Sequence, residues 1–174
     1  MGDTLITVIA IALAAVLMFV FPLMSLAERT DDVSQLVAQT ATAEFVDNVR
    51  TTGKLTLEDY NKYLQTLTST GNSFDVELQI MQLDENPGVK VTQAEMTKIG
   101  ENLYYTEYTS QIEAKLNKSG RIKLKEGDMF YVTIKNTNKT IAENLRNFFY
   151  QLTGSDSYQI AAKQGGVVMV NGSK

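Results

Sequence analysis

Residues 5–26 read LITVIAIALAAVLMFVFPLMSL, twenty-two positions without one charged side chain. As an α-helix this run spans about 33 Å, close to the ~30 Å hydrocarbon thickness of a bilayer. Three structures accommodate such a segment: a membrane span, a buried core helix or a cleaved secretory signal. Core helices are usually shorter and keep a polar edge. A secretory signal has a basic start, a shorter apolar run and a small-x-small exit. Here the start is Met1-Gly2-Asp3 and the exit is Ser25-Leu26-Ala27-Glu28. The expectation is a retained, single-pass anchor over residues 1–27, with membrane lipid as its surroundings.

Charge assigns the orientation only weakly. Arg29 is the one basic residue close to the span, and Glu28, Asp31 and Asp32 surround it. The positive-inside rule therefore has little to count. Nearly all of the foldable chain lies on the carboxyl side of the run. An acidic domain with no cysteine suits the outside of a bacterial cell, so the expected placement is the cell membrane with the C-terminal domain extracytoplasmic.

The apolar run is expected to continue as helix well past the membrane. No Gly or Pro intervenes between Pro22 and Gly53, and Val33, Leu36, Val37, Thr40, Ala41, Phe45 and Val49 recur at steps of three and four. One rod over residues 3–50 would be on the order of 70 Å long. Residues 28–50 form its extramembrane continuation. On this reading Asp31, Asp32, Gln35, Gln39 and Asp47 face away from the apolar stripe. The stripe packs on the chain's own domain or also on neighbouring copies.

Residues 51–174 carry the signals of one small α+β domain. Thr56 caps a helix with Glu58 and Asp59 in its first turn; Leu57, Tyr60, Leu64 and Leu67 form its apolar face, and Gly71-Asn72 ends it. Phe74, Val76, Leu78 and Ile80 alternate with polar residues as a half-buried strand, before a turn at Asn86-Pro87-Gly88. Tyr104, Tyr108, Ile112 and Leu116 keep helical spacing, predicting a helix over residues 105–117. Ile122 to Leu124, a Glu126-Gly127-Asp128 turn and alternating Phe130, Val132 and Ile134 predict a hairpin. Thr140 and Glu143 form a capping box ahead of Ile141, Leu145, Phe148, Phe149 and Leu152. Tyr158, Ile160 and Ala162 alternate before a kink at Gly165-Gly166 and the apolar residues 167–170. The expected architecture is a mostly antiparallel sheet with packed helices behind a long N-terminal helix.

Composition narrows the function further. The chain has no histidine and no cysteine, which removes thiol nucleophiles, imidazole bases and the usual zinc ligands. Sixteen basic against twenty acidic residues give a net charge of -4, so no nucleic-acid partner is expected. Asp31-Asp32 and Asp84-Glu85 are adjacent carboxylates that do not converge on one substrate atom. Asp84-Glu85-Asn86 offers oxygen ligands without the spaced pattern of a calcium loop. Gly165-Gly166 lacks the spacing, the Lys-Ser/Thr and the helix of a phosphate loop. No catalytic residue, cofactor or metal is expected.

The start of the chain, Gly2-Asp3-Thr4-Leu5-Ile6-Thr7-Val8-Ile9-Ala10-Ile11, resembles the amino terminus of type IV pilins and pseudopilins. In that family a glycine precedes a peptidase cut and Thr-Leu-Ile opens the hydrophobic helix. Gly2 matches the first and Thr4-Leu5-Ile6 the second; Pro22 lies near the depth of a common helix proline. The resemblance implies a peptidase site between Gly2 and Asp3. Thr7 stands where the family carries a glutamate that registers subunits, and Met1 alone stands where a basic leader would be. Residues 45–54, with Tyr60 and Thr70-Gly71-Asn72, resemble in general plan the TadE-like proteins of tight-adherence pili. The resemblances imply a pilin-like fold and a structural role in a bacterial surface filament or secretion apparatus, with homo- or hetero-oligomers and pilus assembly proteins as partners.

Under that reading the helix anchors and assembles the protein through Leu5, Thr7, Ala10, Ala14, Ala15, Pro22, Val33, Val37, Ala41 and Phe45. Small residues at Ala10, Ala14 and Ala15 allow close helix approach, and the Thr7 hydroxyl offers a bond across a helix pair. The alternative is a membrane-anchored extracellular binding domain that does not polymerise.

Overall fold

The computed structural model describes residues 2–83, 104–150 and 160–172. Its first element is one uninterrupted helix, α1 (Gly2–Thr52), of 51 residues. At 1.5 Å per residue that is about 76 Å. The remaining elements are β1 (Lys54–Thr56), α2 (Leu57–Thr68), β2 (Phe74–Leu83), β3 (Tyr104–Tyr108), α3 (Thr109–Ser119), β4 (Arg121–Lys123), β5 (Met129–Asn136), α4 (Ile141–Tyr150) and β6 (Ala161–Val167). The α+β expectation holds: an antiparallel sheet of order β3-β2-β5-β6 carries the domain, and β1 and β4 pair as a second, two-stranded sheet.

Alternation along the central strands decides which sheet face is dry. Leu78 and Ile80 on β2, and Phe130, Val132 and Ile134 on β5, are buried, while Asp75, Glu77 and Lys135 are exposed. The second half of α1 closes the dry face together with α2, so the core runs from Ala38 and Val49 through Leu67 to Ile112 and Val168. The domain expected over residues 51–174 thus takes part of α1 as a wall of its own core.

Local chemistry explains the ends of several elements. The Asp59 amide donates to Thr56 Oγ1 at 3.1 Å, capping α2 as expected. Gly53 breaks α1 with φ at +65°, and a Cβ there would lie 2.4 Å from the Val170 carbonyl oxygen. Both conformation and space require glycine at that position.

Four expectations change. The Tyr104–Tyr108 segment is strand β3, and α3 starts only at Thr109; the tyrosine spacing carried helical period, but pairing with β2 overrides it. The turn at Gly127 forms, with the Asp128 amide donating to the Lys125 carbonyl at 3.1 Å. Its flanks do not make a hairpin, because β4 pairs with β1 while β5 lies between β2 and β6. Gly165-Gly166 does not kink the chain: both pair in register with Tyr131 and Phe130 on β5. Glycine serves close approach there, since a Cβ on Gly165 would meet the Tyr131 ring at 2.0 Å. Finally, Ile141 is exposed at the head of α4 and Ala142 is its buried neighbour. The expectations at Asp84-Glu85, Asn86-Pro87-Gly88, Leu152 and Tyr158 lie outside the described residues.

Candidate functional site

The sequence-predicted residues all lie on α1 and divide into three environments. Leu5, Thr7, Ala10, Ala14, Ala15 and Pro22 are exposed, as is most of the apolar stretch around them, with Val20 and Met24 half-buried. This is the one helix among the described residues long and apolar enough to cross a membrane, and none of its apolar window is buried by the domain. Thr7 donates its hydroxyl to the Asp3 carbonyl at 2.7 Å, so its proton is used within the helix. Pro22 sits inside the helix, where its ring removes the amide that would bond the Met18 carbonyl. Gly2 and Asp3 form the exposed first turn.

The second environment is the seat of α1 in the domain. Ala41 and Phe45 are buried there, together with Asp31, Ser34, Ala38, Thr42, Val46 and Val49. Phe45 is the hub: its ring stacks on Tyr63 at 4.4 Å and meets Phe130 edge-on at 5.8 Å. The assignment of Ala41 and Phe45 to an assembly surface therefore fails, because the chain's own core consumes both. Burial pushes the Tyr63 hydroxyl up to about 12, against the lowering effect of its bond to Thr42. Burial and, next, the hydrogen bond to Glu113 raise Tyr60 as well.

Two polar residues expected to face away from the domain instead fasten it. Thr140 Oγ1 donates to the buried Asp31 carboxylate at 2.7 Å. Gln35 bonds both backbone groups of Ala161: its amide donates to the carbonyl at 2.7 Å and its oxygen accepts the N–H at 3.0 Å. Further along, Arg50 Nε donates to the Val167 carbonyl at 3.0 Å, and the Met169 amide donates to the Arg50 carbonyl at 2.9 Å. The helix is thus tied along the whole length of the domain.

The third environment is the opposite face of the same stretch. Val33 is 61% exposed and Leu36 63%, with Thr40 exposed beside them and Val37 half-buried at the margin. The expected single stripe is really two faces. Val33, Val37, Ala41, Phe45 and Val49 step only by fours, and each step rotates about 40°, so the series walks from the outer face into the core. Phe19, Leu26, Val33 and Thr40 recur every seven residues, with Pro22 and Leu36 alongside. That outer face carries apolar character out of the uncharged run and past the level where the domain begins.

A groove between α1 and α2 is lined by Glu44, Asn48, Asp59, Lys62, Tyr63 and Thr66. Among the described residues no group of three carboxylates converges to hold a metal ion. Comparison with family models, with curated proteins and with solved structures gives no match.

Proposed function

We propose that the protein is a structural subunit, minor pilin-like or pseudopilin-like, of a bacterial surface filament or secretion apparatus. It sits in the cell membrane by one pass of α1, with the folded domain on the extracytoplasmic side, and assembles through that helix. The observation that carries this reading is the division of α1 into an apolar half that the domain does not bury and a half built into the domain core without a break. A tether needs no such continuity, whereas a subunit that packs by its helix does, because the position of the helix then fixes the position of the domain. The outer face at Leu26, Val33 and Leu36 is the surface offered to a neighbour.

Cysteine crosslinking is the direct test, since the natural chain has no cysteine to interfere. Single cysteines at Val33 or Leu36, in membranes of cells carrying the native gene neighbourhood, are expected to trap like or unlike partners. A cysteine at exposed Glu126, outside α1, is expected to trap far less. Monomer at every position refutes assembly. The groove between α1 and α2 favours the alternative in that case, a membrane-anchored binding domain that works alone.

A further inference from the structure

The end of the domain nearest the apolar run is held at a fixed height. Asp31 lies five residues beyond Leu26, the last residue of the uncharged run, an axial rise of about 7.5 Å. The 2.7 Å bond from Thr140 to Asp31 places the head of α4 at that same level. A bilayer's polar interfacial layer adds roughly 5–7 Å on each side of the hydrocarbon. Whatever α4 presents beside Thr140 therefore lies at the outer edge of the headgroups once the apolar run is embedded.

What it presents suits that layer. Ile141 is 73% exposed, the most exposed large apolar residue among the described residues of the domain, and Lys139 is exposed on the other side of Thr140. The loop that carries them is hydrogen-bonded to Asn72 and Ser73. Asn138 accepts the Ser73 amide at 2.8 Å and donates to Asn72 at 3.0 Å, while Thr137 donates its amide to the Ser73 carbonyl at 2.8 Å. Thr140 is tied in turn to Asp31 and, at 3.1 Å, to the Glu143 amide. An exposed isoleucine and a lysine flank one pinned threonine, the pairing of an apolar anchor with a cation that interfacial segments use. Glu28, Asp32 and Glu143 are close by in sequence or contact, so the patch is not basic overall and its hold on lipid depends on the nearby anchor.

We infer that Lys139 and Ile141 form a second, interfacial contact with the membrane that α1 crosses, resting on its phosphate-bearing headgroups and restraining the domain against tilting. This rests on the anchoring part of the proposed function. The tether makes a weak contact effective, because it holds the patch at high local concentration at the surface.

Site-directed spin labelling of the full chain tests it. Nitroxides are attached to single cysteines at Met18, Ile141 and Glu126 in vesicles of phosphatidylcholine with phosphatidylglycerol. Glu126 is the reference because its turn lies by the far end of α1, where Gly127 bonds Val168 and Met169 bonds Arg50. Collision with a water-soluble nickel chelate is expected to be several-fold lower at 141 than at 126, with oxygen access retained. Replacement Lys139→Glu is expected to return position 141 toward the value at 126. Protection at 18 with equal access at 141 and 126 overturns the contact while leaving the anchor standing. Exposure at 18 overturns the anchor itself. Shielding of 141 from nickel and oxygen alike means burial against protein and also overturns the contact, and an unchanged value in Lys139→Glu removes the lysine's role.

Discussion

The two halves of α1 are the same helix under opposite rules. Over residues 2–26 apolar side chains point in every direction and none is covered by the domain. Over residues 31–52 one face is core, and that face includes an aspartate, a serine and a threonine. Hydrophobicity alone therefore does not tell which part of this helix the domain buries. In the first half the apolar character matches a solvent the helix would meet. In the second, burial follows the partners available: a threonine for Asp31, a strand edge for Gln35, an aromatic cluster for Phe45.

That contrast breaks if mutations in one half disturb the other. The largest effect is expected from Phe45→Ala, which empties the hub between α1, α2 and β5 and should destabilise the domain by about 3–5 kcal/mol. The same change at exposed Leu36 should stay within about 0.5 kcal/mol. Chemical denaturation of both variants in detergent, followed by circular dichroism, measures the difference. Equal losses would mean that the outer face is as structural as the inner one.

Next in size is a charge placed in the first half. Leu13→Arg should weaken membrane insertion by about 2.5–3.5 kcal/mol, the cost of arginine near the centre of a span. Domain unfolding should be untouched, because Leu13 contacts nothing in the core. Flotation with vesicles and denaturation on the same sample separate the two outcomes. A shifted denaturation midpoint would contradict the independence of the halves.

The smallest effect sharpens the comparison through pH. An unfolded tyrosine releases its proton near 10, whereas folded Tyr63 holds it to about 12 and Tyr60 is raised as well. Because the folded pKa values are raised, the stability they contribute is intact below pH 10 and is lost as pH climbs through the folded values. Alkaline unfolding in that window should change near-ultraviolet dichroism of the domain and leave the apolar half of α1 helical. Replacement Tyr63→Phe should flatten this loss. An identical alkaline profile in the variant would assign the loss to other groups.

Much of the fold was legible in the chain because local rules and tertiary packing agree. The rod expected over residues 3–50 is the helix Gly2–Thr52, and Thr56 caps α2 as its side chain suggests. The strand alternations of β2 and β5 hold for the same reason. What was not legible depends on partners far away in sequence. Asp31 and Gln35 look like solvated residues until Thr140 and Ala161, 109 and 126 positions on, are brought beside them. The direction of β4 toward β1, rather than toward the strand that follows it, is a topological choice that no short pattern encodes. The outer face at Val33 and Leu36 was visible but merged with the inner one, because spacings by fours drift about 40° per step around a helix, while sevens drift only about 20° the other way. The exposure of Val33 and Leu36 on that face is what the structure adds, and the fastening of the inner side was missed.

The grip of Gln35 on Ala161 has a consequence for life at high density. β6 is a terminal strand of its sheet, and an open strand edge is a template on which another chain can pair and aggregate. Gln35 occupies both outward backbone groups of Ala161 at one end, and Arg50 occupies the Val167 carbonyl at the other. Two side chains of the helix thus imitate a neighbouring strand without being one. Another chain approaching β6 would meet both ends of that edge already occupied, and pairing there would first have to displace Gln35 or Arg50.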